Sequence, residues 1–264
     1  LMAVVFFIPI ILSALCVIPA FFIAKRRAGY FGGFITAMFI AVQTSFLGRT
    51  AGGFADTDAY NVLFPLLIAW IFLEAFETTN LKKKISLSFL ASLLMGLFSF
   101  IWVGWWYIFD FLLAVMIIYV GYQIVKLLLL KESIKKIAYN KNIYQTLLTL
   151  GIFILLSGLY VSSFTSFGNF KQSIDGPISF RNIKQAAEID LWPNVYTTVA
   201  ELNSASLGSI IAQMGGKFFF FIAGLGIMLS LLKQGDFRKK DALFLSVGIL
   251  ILLYLISNSA LSLS

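Results

Sequence analysis

Arg49, Asp56 and Asp58 stand in a short polar interruption, GRTAGGFADTDAYNVLFP at residues 48–65, between two strongly apolar runs. Carboxylates at i and i+2 in an irregular segment can converge on one divalent cation. The short aspartate stem keeps such a site tight, and water or substrate oxygens complete the shell. The chain has no histidine, which removes His-based acid–base catalysis and His-ligated metals. Any metal must then be held by oxygen, which suits hard ions such as magnesium, manganese or calcium. The plainer reading is a solvated loop, or a cap of a helix starting near Ala59, where an aspartate meets the positive end of the dipole. Arg49 close by favours the functional reading, because ionisable groups at a membrane edge pair with one another or bind substrate.

Two further stretches carry candidates. In DLWPNVYTTVAELNSAS, residues 190–206, Glu201 follows Thr198 by three positions, which is equally the pattern of a helix capping box. In WVGWWYIFD, residues 102–110, Trp102, Trp105, Trp106 and Tyr107 cluster around a glycine, as in an interfacial aromatic belt at a tight turn between two spans. Asp110 sits one turn inside the following helix, where a charge needs a partner or a wet cavity. Glu74 and Glu77, near Lys82–Lys84, read as solvated or ion-paired residues. The single cysteine, Cys16, lies in an apolar run and reads as a small buried hydrophobe, with no disulfide framework.

The elements that must position these residues are membrane spans. Of 264 residues, 60% are hydrophobic and 12% charged, about half the charged fraction of a soluble domain. Apolar segments at 2–24, 30–48, 59–78, 85–103, 105–125, 143–163, 217–233 and 241–258 approach or exceed the roughly 20 residues that cross a bilayer. At membrane depth every backbone polar group must be satisfied internally, which favours helices. The expectation is an all-α polytopic membrane protein of about eight spans. Its parts are a transmembrane bundle over 1–163, an external loop over 164–216 and a helix pair over 217–264.

Charge placement orients it. The net charge is +8, and the clusters Lys25–Arg27, Lys82–Lys84, Lys126–Lys141 and Lys233–Lys240 fall in alternate gaps. All four can lie on one side, which the positive-inside rule makes cytoplasmic. The gap holding Arg49, Asp56 and Asp58 is then external, and so is the polar stretch 164–216. A site assembled from two external loops becomes possible. The first half of that long loop, with SFGNFKQSIDGPISF, has few large apolar anchors and is expected to be mobile without ligand. Its second half should dock through Leu191, Trp192 and Val195. The start LMAVVFFIPIILS lacks a basic n-region and the end is abrupt, so the chain reads as a fragment of a longer polytopic protein.

Three stretches together, RTAGGFADTDAYNVLFP, WVGWWY and PNVYTTVAELN, resemble the catalytic subunit of oligosaccharyltransferase, especially its archaeal single-subunit form. Arg49 stands seven residues before Asp56, as the arginine of that family stands before the first acid of its second acidic motif. Thr198-Val199-Ala200-Glu201 resembles the motif of its long external loop, and Trp-x-Gly-x-Trp resembles its Trp-Gly-Gly-Tyr turn. The resemblance implies a glycosyltransferase C-type membrane fold. The implied enzyme moves a glycan from a polyprenyl (dolichyl) phosphate or pyrophosphate donor to asparagine in an N-x-S/T sequon, with Mn²⁺ or Mg²⁺ bound. Asp56, Asp58 and Glu201 match its metal ligands. Arg49, Asp56 and Glu201 match catalytic positions, and Arg49, Glu201 and Trp105 are the candidates for substrate contact. The implied partners are a lipid-linked oligosaccharide, an acceptor polypeptide and membrane lipid, with no nucleic acid. The implied place is the plasma membrane, with the site on the external face. The first acidic motif and the sequon-reading domain of that family have no counterpart in these residues, so the fragment alone is expected to be inactive. Competing readings are a protein O-mannosyltransferase-like enzyme of the same broad fold, or a transporter using Asp110 or the aspartate pair as an ion site.

Overall fold

The computed structural model describes residues 2–53, 56–130, 140–171, 173–175 and 207–232, and these contain helices and turns without a strand. In chain order the helices are α1 (Met2–Leu15), α2 (Val17–Val42), α3 (Thr44–Arg49), α4 (Asp58–Glu77), α5 (Leu81–Ile101), α6 (Trp106–Leu129), α7 (Lys141–Phe164), α8 (Leu207–Gln213) and α9 (Lys217–Leu232). A 3₁₀ turn, Val103–Trp105, links α5 to α6. The chain is an all-α polytopic membrane protein, as expected.

Five stretches among the described residues are long and apolar enough to cross a membrane: Phe6–Val42, Asp58–Glu77, Leu81–Ile101, Val103–Leu129 and Lys141–Phe164. The first, at 37 residues, holds the first two segments expected from sequence. It is broken at Gly29, whose φ of 72° lies in the left-handed region that glycine enters without a Cβ penalty. Past that break the backbone returns, so closely that a Cβ on Gly33 would stand 2.9 Å from the Phe21 carbonyl oxygen. The seventh expected segment appears as α9, described over 16 residues; the eighth, 241–258, lies outside the described residues.

The core is built by α4, α5, α6 and α7. Ile68, Phe72 and Phe76 of α4, Met95 and Phe98 of α5, Leu112 and Met116 of α6, and Phe153 and Val161 of α7 form one buried cluster. Aromatic rings interlock across it, Phe72 edge-on to Phe153 and Phe109 stacked on Phe153. Ser88, Ser92 and Gly96 recur every four residues along α5, so they share one face. That small stripe lets α7 approach closely, the usual device for helix association in lipid. Ser157 Oγ donates to Ser92 Oγ at 3.2 Å, and Ser92 Oγ to the Phe153 carbonyl at 3.4 Å.

The two ends of the bundle differ in chemistry. At the end where α4 finishes, Arg26 from α2 pairs with both Glu74 and Glu77. These acids are ion-paired, as one reading held, but to Arg26. Lys84, counted from sequence among cytoplasmic surface lysines, is fully buried. Its Nζ donates to the Ala75 carbonyl at 2.8 Å, the Phe76 carbonyl at 3.4 Å and Thr149 Oγ1 at 3.2 Å. It satisfies carbonyls that the last turn of α4 leaves without helical partners. Cys16, between α1 and α2, is buried, with Sγ donating to the Leu12 carbonyl.

Candidate active site

The other end gathers the acidic turn. Extended backbone at Gln43, ψ 111°, stops α2, and α3 carries the chain six residues on to Arg49. Thr50 is buried and donates to the Phe46 carbonyl at 2.9 Å. Gly53, at φ 85°, lets the chain turn so that its N–H donates to the Phe6 carbonyl at 3.3 Å. The turn is thereby fastened to α1 before α4 begins at Asp58.

Arg49 Nη1 donates to Asp58 Oδ2 at 3.1 Å. The Arg49 side chain is 68% exposed and that of Asp58 23%, so water screens the pair and it opens at little cost. Asp58 occupies the first turn of α4, where the helix dipole favours a carboxylate. The cap position itself falls to Thr57, whose side chain makes no capping bond. Asp56 lies before it and is exposed. Its Oδ1 accepts from the Thr57 N–H at 2.6 Å and from Thr57 Oγ1 at 3.4 Å.

Both aspartates offer the oxygen donors that a hard divalent ion takes. Arg49 already engages one of them, and among the described residues no three acidic or thiol side chains gather on one point. The pair by itself supplies too few ligands for such an ion, and any further ones must come from elsewhere.

Two more chain stretches converge on this end. Tyr107 Oη lies 3.5 Å from the Asn61 carbonyl, in the first turn of α4. Trp105 Nε1 donates to Asn169 Oδ1 at 3.3 Å, and its ring stacks on Phe170. Sequence marked Trp105 for substrate contact and belt position; the structure encloses it completely in the core. The surface of this turn belongs instead to Val103 and Tyr107. The start of the long loop was expected to have few large apolar anchors, and Phe170 is one, packed against the core cluster. At the loop's far end, Gln43 Nε2 donates to the Gln213 carbonyl, beside the residue from which α3 departs.

Arg49 and Asp58 are thus in contact, with Asp56 two residues away, and Trp105 lies inside the bundle. Glu201, Leu191, Trp192 and Val195 lie outside the described residues. Sequence reasoning passed over Asn169 and Gln43, which tie down the two flanks of the loop carrying Glu201. Neither has a local signal, since each finds its partner more than sixty residues away.

The model of the family "Oligosaccharyl transferase STT3, N-terminal" matches residues 1–259. A dolichyl-phosphooligosaccharide-protein glycotransferase of Methanococcus voltae is 30% identical over 251 residues, 89% of this chain and 27% of that protein. The protein of the same name from Methanocaldococcus jannaschii is 27% identical, over 96% of this chain and 35% of its own length. An undecaprenyl-diphosphooligosaccharide–protein glycotransferase of Campylobacter jejuni is 25% identical, over 96% of this chain and 37% of its own. No solved structure matches. The chain spans between about a quarter and two fifths of the length of these relatives.

Proposed function

The chain belongs to the oligosaccharyl transferase STT3 family, and from that premise we propose that it forms the membrane-embedded catalytic part of an oligosaccharyltransferase. The full-length protein moves a glycan from a polyprenyl-linked phosphate or pyrophosphate to the side-chain amide of asparagine in an N-x-S/T sequon. The observation that carries this reading is the extent of the family match, which runs through the acidic turn, the aromatic turn and the loop with Glu201.

The residues divide the work. An amide nitrogen is a weak nucleophile because its lone pair is delocalised into the carbonyl. Carboxylates of Asp56 and Glu201 accept its two N–H hydrogens, which weakens that delocalisation and orients the nitrogen for attack. Asp56, Asp58 and Glu201 would hold Mn²⁺ or Mg²⁺, which would supply charge neutralisation at the leaving phosphate. Arg49 is mobile enough at the surface to exchange Asp58 for a donor phosphate, a bidentate partner that suits a guanidinium.

The loop 164–216 can bring Glu201 to this place. Its start is tied at Asn169 to Trp105, and Gln213 is tied to Gln43. Leu207 stands six positions after Glu201, a reach of about 20 Å when extended.

Stripping divalent ions from the full-length protein abolishes transfer of glycan to a sequon peptide, and Mn²⁺ or Mg²⁺ restores it. Turnover that survives complete chelation overturns the metal assignment. The site faces outward across the plasma membrane. Cysteines placed at Thr57 and Asn203 then react with an impermeant reagent from outside, and one at Lys136 does not. Labelling of positions 57 and 203 from opposite sides would sink the shared site.

A further inference from the structure

The acidic turn leans on an element that the reaction just described does not use, the first turns of α1. Gly53 donates its N–H to the Phe6 carbonyl at 3.3 Å, and the Phe6 side chain lies against the main chain one residue earlier. A Cβ built on Gly52 would stand 2.6 Å from Phe6 Cζ and 3.1 Å from Ile10 Cδ1. Phe6 and Ile10 are four positions apart, so they share one face of α1. The turn rests on that face at a distance that only glycine allows. At Gly53 a Cβ would come within 3.4 Å of the same ring, and the φ of 85° already disfavours any other residue there.

This seat lies between side chains of the site. Arg49 stands three residues before Gly52, and Asp56 three residues after Gly53. The contact of Arg49 with Asp58 is too exposed to hold the turn by itself. The fastening to α1 therefore decides where the turn sits.

We propose that Phe6 and Ile10 are positioning residues, forming a seat that sets where the acidic turn carries Asp56. The role rests on the metal-dependent reading above: a seated turn places Asp56 to hold the divalent ion, and a lifted turn does not. A methyl group added at position 52 meets both side chains. The Phe6 ring is half exposed and can swing aside, but Ile10 still stands in the way. The turn must then lift from α1 and stretch the Gly53 bond, which is long already.

The test uses the full-length protein in lipid nanodiscs and compares Gly52→Ala, Phe6→Ala and the two combined. Gly52→Ala raises the Mn²⁺ concentration for half-maximal glycan transfer by roughly ten- to hundredfold, the usual effect of losing support around a metal ligand. Its rate at saturating Mn²⁺ falls far less. A merely destabilised protein would lose rate at every Mn²⁺ concentration without moving the half-point. Phe6→Ala alone gives a smaller shift in the same direction, and it carries the test if Gly52→Ala does not accumulate. In the combined variant the new methyl enters the space that the ring leaves, and the half-point returns towards wild type. A nitroxide on Thr57→Cys, recorded with divalent ions chelated, follows the same order: more mobile in Gly52→Ala, restrained again in the combination. Shifts at positions 6 and 52 that simply add, or a nitroxide spectrum unchanged by Gly52→Ala, overturn the proposal. The nitroxide reads the seat without metal or transfer, so its failure counts against the seat alone. Intact transfer in Asp56→Ala counts instead against the metal-dependent reading.

Discussion

The two ends of α4 hold charged groups in opposite ways. At its last turn Arg26 reaches from α2 to Glu74 and Glu77, and Lys84 is sealed from solvent with three oxygen acceptors. At its first turn one exposed arginine meets one aspartate, and among the described residues Asp56 has only its neighbour Thr57. The fully buried Lys84 is held by interactions that water screens little, and Arg26 is largely covered, whereas a pair built on an arginine 68% exposed is worth little. The helix is therefore pinned at the end remote from the site. At the site end, on the function proposed above, the carboxylates of Asp56 and Asp58 are left open to trade present contacts for a cation, a phosphate or an amide. The proposed function thus divides stability and reactivity along one helix about 30 Å long.

The sharpest test of the division is catalytic. In the full-length protein, Asp56→Ala and Glu201→Gln should each cut glycan transfer by at least the roughly 10²–10³ typical of losing one preorganised electrostatic group. Asp58→Ala should cost less, since water can replace one ligand of a shell. Combining the changes at Asp56 and Glu201 should fall far short of additive, because both serve one site. If the acidic turn were only a helix start, Asp56→Ala would lower stability by about 1 kcal/mol and leave turnover intact. Wild-type turnover in a well-folded Asp56→Ala protein would therefore dissolve the contrast.

The opposite end should answer in stability instead. Lys84→Ala removes a long buried side chain and strands the Ala75 and Phe76 carbonyls, so a loss of about 3 kcal/mol is expected. Lys84→Met keeps most of the volume, needs no buried charge, and should lose less. Denaturant or thermal unfolding in detergent measures both, and neither should alter the metal requirement of the folded fraction. A Lys84→Ala protein as stable as wild type would mean that the remote end is not the anchor.

Much of this arrangement was legible in the sequence because lipid demands long apolar runs. The runs at 59–78, 105–125 and 143–163 become Asp58–Glu77, Trp106–Leu129 and Lys141–Phe164, differing mainly where an apolar run and a helix have different reasons to stop. The pairing of Arg49 with an acid of the DxD turn was also readable, from nearness in a polar gap. Lys84 was not, because its destination depends on where the carbonyls of α4 end, and its two neighbouring lysines disguise it as one of a solvated run. Trp105 misled for a related reason: tryptophan suits an interface and a core equally, and only the position of Phe170 and Asn169, more than sixty residues on, decides between them.

The smallest effect concerns the Arg49–Asp58 pair itself, and it tests the comparison from the side of stability. A double-mutant cycle with Arg49→Gln and Asp58→Asn isolates the coupling of the two side chains from what each does elsewhere. With Arg49 exposed over two thirds of its side chain, that coupling in unfolding should stay below about 1 kcal/mol and shrink as salt is raised. Each single change should nevertheless slow transfer, since Arg49 then lacks its charge for donor phosphate and Asp58 its charge for the metal. A coupling of about 3 kcal/mol, insensitive to salt, would reveal a locked pair of the kind found with Arg26. The acidic turn would then be a second anchor, and Arg49 could not be spared for a substrate. A small, screened coupling together with slowed transfer is the combination that only a loosely held site predicts.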